Sequence, residues 1–324
     1  MNERIKEAAK HVASADTIYI YAHVNMDGDA LGSTSALCLA LRSMGKKAYT
    51  VISEDVPHYL DFLEKGCCVA PDDVPEEYDL AMMLDCSSYS RIPKRENAFD
   101  RAKMRGCLDH HALGASKIDF DFECVWPDAA ATAELVYTLI KELGVTIDLD
   151  IASCIWSALA TDTGNFQHNS TSAYTHEIAA ELHRVDGFDS SILSALIYQR
   201  KSVKALRLEA RMLNDISFYA NHRVAIVAVT QEMLDEFDCE YSDADTVVET
   251  LRKLEPVEIA VVLKQNGPDS FKASMRARSY ANVAEVALKY GGGGHIRAAG
   301  CAIEGELEEV KEALSQDLIE AVRR

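Results

Sequence analysis

Along the first half of the chain, short runs of β-branched, aromatic and other apolar residues alternate with longer stretches whose apolar residues recur every three or four positions. The first pattern predicts strands and the second predicts helices with one buried face. "TIYIYAHV" reads as a strand and "DALGSTSALCLALRSMG" as a helix closed by Gly45. "KKAYTVIS", "DLAMMLDCSS" and "MRGCLDHH" supply further strands, and "ATAELVYTLIKELG" a helix stopped at Gly144. "DIASCIWSALATDTGNF" is apolar nearly all round, which predicts a buried helix running into a loop. Near-continuous apolar strands set between helices indicate a parallel sheet covered on both faces.

From about Thr171 to Asn214 the pattern is helical and rich in charge. A second α/β pattern begins near Asp215, with "RVAIVAVT", "VEIAVVLKQN" and "SFKASMRARS" as strands, and "ELEEVKEALSQDLIEAVRR" closes the chain as a helix. The expected fold class is therefore α/β. A doubly wound, mainly parallel domain covers residues 1–190, a helical connector 191–214, and a second, smaller α/β domain 215–324. A length of 324 residues agrees, being too long for one typical core.

Composition narrows the class. The chain is 48% hydrophobic and 26% charged, as in a soluble globular protein. It contains no apolar run of about 18 residues that would span a membrane. The start, "MNERIKEAAKHVASAD", reads as an amphipathic helix and not as a secretion signal. Nine cysteines are scattered without a CxxC pair, which suits free thiols in a reducing cytosol. The net charge of −19 argues against broad binding to a long nucleic-acid backbone. It does not argue against a phosphate substrate, because metal ions or a few placed arginines can reverse the field locally.

Acids and histidines recur where strands should end. His23, Asp27 and Asp29 follow the first strand, Asp85 ends "LAMMLD", and Asp109, His110 and His111 end "GCLDHH". Asp162 follows the buried helix in "ATDTGNF". A lone aspartate at such a place is usually a helix cap or turn residue. Two adjacent histidines ending an apolar strand are harder to dismiss, since burying imidazoles is unfavourable unless they are paired or ligating. The carboxyl ends of parallel strands are where loops can bring separate groups side by side. The four carboxylates Asp27, Asp29, Asp85 and Asp162 formally balance two divalent cations, and imidazoles add neutral nitrogens. That mixture favours Mn2+, with magnesium, cobalt or zinc as substitutes. Two such ions can activate water and polarise a phosphoryl oxygen, which is the equipment for hydrolysing a phosphate ester. Near the C-terminus the chain offers anion-binding chemistry as well: Arg276 and Arg278 alternate along one strand, Gly291 to Gly294 can form a nest of N–H groups, and His295 follows. Lys264 and Arg297 could add anion contacts or be ordinary surface charge.

The set "HVNMDGDALGS", "LDCS", "LDHH" and "TDTGNF" resembles the DHH phosphoesterase family, named for the motif present here as Asp109-His110-His111. "GGGGHIRAAG", preceded by "SMRARS", looks like the substrate-binding domain associated with it. The resemblance implies one metal held by His23, Asp27 and Asp85 and a second held by Asp29, Asp85, His110 and Asp162. Asp85 would bridge, His111 would face the substrate phosphate, and Asp109 would orient the histidines. Gly28 is expected to permit a tight turn between ligands. Met26 departs from the family pattern, in which proline is common, and this puts the rigidity of the loop in question. Arg276, Arg278, Gly292, Gly293, Gly294 and His295 would grip the substrate.

Within the family, the length and the glycine-rich element favour the compact nanoRNA hydrolases. These imply release of mononucleotides from RNAs a few residues long and dephosphorylation of 3′-phosphoadenosine 5′-phosphate. The expected partners are thus short single-stranded RNA and small nucleotides, with no long duplex and no membrane; a homodimer stays open. A phosphodiesterase for linear or cyclic dinucleotide messengers, or a catalytically silent nucleotide sensor, are the alternatives.

Overall fold

The computed structural model describes residues 1–111 and 118–323, and for His295 the backbone alone. It divides into two compact units, 1–200 and 201–324.

In the first unit the elements run α1 (Asn2–Ser14), β1 (Thr17–Tyr21), α2 (Gly28–Ser43), β2 (Lys47–Val51), β3 (Cys68–Val69), β4 (Tyr78–Leu84) and α3 (Glu96–Phe99). They continue with β5 (Ala102–Asp109), β6 (Phe122–Val125), α4 (Thr132–Glu142), α5 (Leu149–Asp162), α6 (Ala173–Leu182) and α7 (Ser190–Tyr198). The strands form one sheet in the order β3-β2-β1-β4-β5-β6, and every pairing is parallel. Side-chain alternation sends Ile18 and Ile20 of β1 into a core with α1, α2, α4 and α5. Tyr19 and Tyr21 enter a smaller core on the other face with Phe99. The doubly covered parallel sheet is as the sequence predicts. Its order reverses between β1 and β4, and at such a reversal the connections leave in opposite directions and open a crevice.

Helices α2 and α5 approach closely because α2 carries glycine where they meet. A Cβ on Gly32 would lie 2.6 Å from the carbonyl oxygen of Cys154, and one on Gly28 2.4 Å from the Thr161 side chain. This corrects the expectation for Gly28. It is the first residue of α2 and is needed for packing, while the left-handed residue of the preceding loop is Asn25, at φ 53°.

The second unit contains α8 (Val203–Asn214), β7 (Ser217–Tyr219), β8 (Val224–Val229), α9 (Gln231–Phe237), α10 (Val247–Arg252), β9 (Ile259–Gln265) and β10 (Ser270–Ala277). α11 (Val283–Lys289), β11 (Gly293–His295), β12 (Ala298–Glu304) and α12 (Leu307–Ala321) complete it. The strand order is β11-β12-β10-β9-β8-β7, with only β8 and β9 parallel. One face packs on α11 and α12 and the other on α8, α9 and α10.

Residues 191–214, expected as a connector, are divided between the units. Tyr198 at the end of α7 donates its hydroxyl to the carbonyl of Ala160 in α5 at 2.8 Å. Helix α8 instead buries Leu208 and Met212 against Val227 of the second sheet, because its apolar residues recur on one stripe.

Candidate metal centre

The crevice at the sheet reversal collects side chains from four places in the chain. His23 follows β1, and its Nδ1 donates to the carbonyl of Val24 at 2.9 Å, which turns Nε2 toward the carboxylates. Asp27 caps α2, accepting from the N–H of Ala30 at 3.0 Å. Asp85 follows β4 in a left-handed conformation, φ 61°, and its N–H is tied to Leu108 O of the neighbouring strand. His110 follows β5, with Nδ1 held by the carbonyl of Ala129 at 3.2 Å. Asp162 ends α5.

Asp85 stands in the middle. Its Oδ2 lies 3.2 Å from His23 Nε2, while Oδ1 lies 3.5 Å from His110 Nε2 and 3.5 Å from His111 Nδ1. Asp27 Oδ2 is 3.7 Å from His23 Nε2, and Asp162 Oδ2 is 3.2 Å from His110 Nε2. Three groups, His23/Asp27/Asp85, Asp29/His110/Asp162 and Asp85/His110/His111, each offer donor atoms within 4.8 Å of one another. The six residues expected as metal ligands are therefore brought together.

Asp29 is fully buried and less simple. It accepts from Ser33 Oγ at 2.9 Å and from the N–H groups of Thr132 and Ala133 at 2.6 and 3.0 Å. Those two N–H groups open α4 and have no partner within the helix, so the carboxylate sits at the positive end of its dipole. Thr132 also donates its hydroxyl to Asp85 Oδ1 at 2.9 Å. Sequence reasoning missed Thr132 and Ser33. The available signal was the helix start in "AATAEL", whose free N–H groups need an acceptor.

The electrostatics test whether cations fit. Burial opposes charge on His23, yet Asp27 and Asp85 outweigh it and raise the imidazole to about 10. His110 is likewise opposed by burial and raised to about 10 by Asp162, Asp29 and Asp85. Burial and the charges of Asp85 and Asp162 push Asp29 well above the carboxylate range. Asp162 is pushed up to about 6, first by burial and then by Asp27 and Asp85, against the His110 hydrogen bond. Asp27 alone goes the other way: burial would raise it, but the hydrogen bond and charge of His23 lower it to about 2. The four upward shifts say that the cluster stabilises added positive charge, which a divalent ion supplies while displacing the protons. The donor set fits.

Asp109, buried at the end of β5, accepts from His111 Nδ1 at 2.8 Å and from the His111 N–H at 2.9 Å. It orients His111, whereas His110 is oriented by Ala129.

In the second unit, Arg276 lies half-buried on β10, its Nη1 donating to the carbonyl of Met275 at 3.1 Å. Arg278 is exposed, one residue past the end of β10. Lys264 is paired with Asp245. The glycine run is a hairpin and not an open loop: Gly293 pairs with Gly300 and Gly294 with Ala299. The N–H groups of Gly291 and Gly292 bond to Leu288 and Ala287, ending α11, so they are not available to a nest. A Cβ on Gly292 would lie 2.2 Å from Gly300 O and one on Gly294 2.4 Å from Ala298 O, while one on Gly293 meets nothing within 4 Å. Two of the three glycines thus answer to backbone packing. The His295 side chain lies outside the described residues.

Residues 17–159 match the model of the DHH family N-terminal domain, and residues 221–324 match that of the DHHA1 domain. The bifunctional oligoribonuclease and PAP phosphatase NrnA of Thermus thermophilus is 32% identical, covering 94% of this chain and 91% of that protein. The protein of the same name from Bacillus subtilis is 26% identical, covering 92% of each. Among solved structures, an exopolyphosphatase-related protein from Bacteroides fragilis superposes with a TM-score of 0.92 at 25% identity, over 100% of this chain and 98% of that one. With both domain models matched in order and the likeness running nearly end to end, the chain belongs to the DHH family of phosphoesterases.

Proposed function

We propose that the protein hydrolyses very short oligoribonucleotides to mononucleotides and removes a phosphate from 3′-phosphoadenosine 5′-phosphate, using manganese. The observation that carries this reading is Asp85, whose two oxygens face separate His/Asp groups; the relatives named as oligoribonuclease and PAP phosphatase supply the substrate class. His23, Asp27 and Asp85 would hold one ion and Asp29, Asp85, His110 and Asp162 the other. When bound, the ions supply an acidified water and polarise the phosphoryl oxygen.

The remaining chemistry belongs to the chain. Asp109 fixes the His111 ring, so that His111 can meet a phosphate oxygen and pass a proton to the departing one. Thr132 and Ser33 hold Asp85 and Asp29 in place. Arg276, Arg278, Gly293 and His295 of the second unit would contribute to nucleotide binding. The net charge of −19 disfavours long duplexes. No helix among the described residues is long and apolar enough to cross a membrane, and the nine cysteines are free, which suits a cytosolic setting.

A side-by-side assay in manganese of a diribonucleotide, a long single-stranded RNA, 3′-phosphoadenosine 5′-phosphate and pyrophosphate tests this. The first and third should turn over fastest. Equal rates on long and short RNA, or a preference for pyrophosphate, would overturn it.

A further inference from the structure

Arg95 is the largest fully buried side chain among the described residues, 1% exposed. Burying a guanidinium is expensive unless it is well paired, yet among the described residues no carboxylate is hydrogen-bonded to it, and its Nε has no partner there. Its Nη1 donates to the carbonyl of Val51 at 2.9 Å and its Nη2 to that of Arg91 at 3.5 Å. Both acceptors lead to the loop between β1 and α2. The Arg91 carbonyl also accepts the N–H of Val24 at 2.9 Å, and the Val24 carbonyl accepts His23 Nδ1 at 2.9 Å. Val51 ends β2, and three residues later Glu54 accepts the N–H of Met26 through Oε1 at 3.2 Å.

We infer that Arg95 is a positioning residue for the metal loop, clamping residues 23–27 through Arg91 and through the Val51–Glu54 segment so that His23 and Asp27 keep their aim. The inference rests on the reading of His23 and Asp27 as ligands. It also accounts for Met26. A proline there would have no N–H to give, whereas this chain buries Met26 and ties its N–H to Glu54. Val24 and Met26, on either side of left-handed Asn25, are held from outside the loop.

The test uses the full chain with Arg95→Met, Arg95→Lys and Glu54→Ala. In metal-stripped protein, amide exchange at Val24 and Met26 should accelerate in Arg95→Met while the β1 amides stay protected. Glu54→Ala should accelerate Met26 alone, and Arg95→Lys should fall between wild type and Arg95→Met. Manganese affinity of at least one site should drop about 10- to 100-fold in Arg95→Met, and activity should return as manganese is raised. A folded Arg95→Met protein that loses only global stability, with wild-type exchange in the loop and wild-type manganese affinity, would overturn the clamp. If Arg95→Met does not fold, wild-type exchange and affinity in both other variants would overturn it equally. A wild-type protein that binds no manganese would defeat the metal reading instead, and exchange at Val24 and Met26 would still decide the clamp.

Discussion

Replacing Asp85 by asparagine isolates the shared carboxylate, because nearly everything else about the residue is preserved. Asparagine has the same shape and tolerates the left-handed backbone that Asp85 adopts. It also retains one oxygen to accept from Thr132 Oγ1. An oxygen on each side cannot be retained. Oδ2 faces His23 at 3.2 Å while Oδ1 faces His110 and His111 at 3.5 Å, so whichever way the amide turns, one side meets an NH2 group. Such a group donates and does not ligate. Losing one charge-assisted contact costs about 1.5–3 kcal/mol, which is roughly 10- to 100-fold in a dissociation constant. Manganese titration of metal-stripped protein, read by calorimetry or by the EPR signal of the free ion, should show at least one equivalent weakened by that factor. Turnover should fall in step while circular dichroism is unchanged. Two equivalents bound at wild-type affinity with wild-type turnover would refute the shared role.

His111→Ala should keep both manganese equivalents and lower kcat about 100-fold; loss of one equivalent in the same titration would make His111 a ligand. Gly292→Ala should destabilise the second unit by about 1–3 kcal/mol in urea unfolding, since its Cβ would strike Gly300 O. Gly293→Ala should leave stability within about 0.5 kcal/mol, so a drop in kcat/KM there would report close approach of substrate to the backbone. Glu258 is buried, which by itself raises a carboxyl, but the N–H groups of Ala281, Ser279 and Tyr280 and the Ser279 hydroxyl hold it below the usual range. Its stabilisation should therefore be complete above the ordinary glutamate value of about 4.3 and disappear as pH falls through the lowered folded value. Glu258→Gln should cost about 1.5–3 kcal/mol near neutrality, and denaturation of both proteins across pH should converge in acid.

Much of this protein was legible in its sequence because the relevant physics is local or periodic. Strands buried on both faces must be apolar throughout, so "TIYIY" and "DLAMMLD" announce a parallel sheet. Ligands that follow strands must stand next to apolar runs, so His23, Asp85 and His110 are visible as candidates. What periodicity cannot carry is which distant backbone meets which side chain. The N–H groups of α4 meet Asp29 from 103 and 104 residues away, and Arg95 reaches the His23 loop through the Arg91 and Val51 carbonyls. The glycine run suggests a nest of N–H groups in sequence and is a hairpin of β11 and β12 in structure, because glycines serve both a ligand and a close strand contact, and only the neighbouring strand distinguishes them. The sequence by itself determined the sheet, the residue types and the candidate ligands, since burial and charge act on each segment where it stands. Tertiary structure alone decided that Gly28 serves packing and that the start of α4 meets Asp29, because each depends on the packing of segments far apart in the chain.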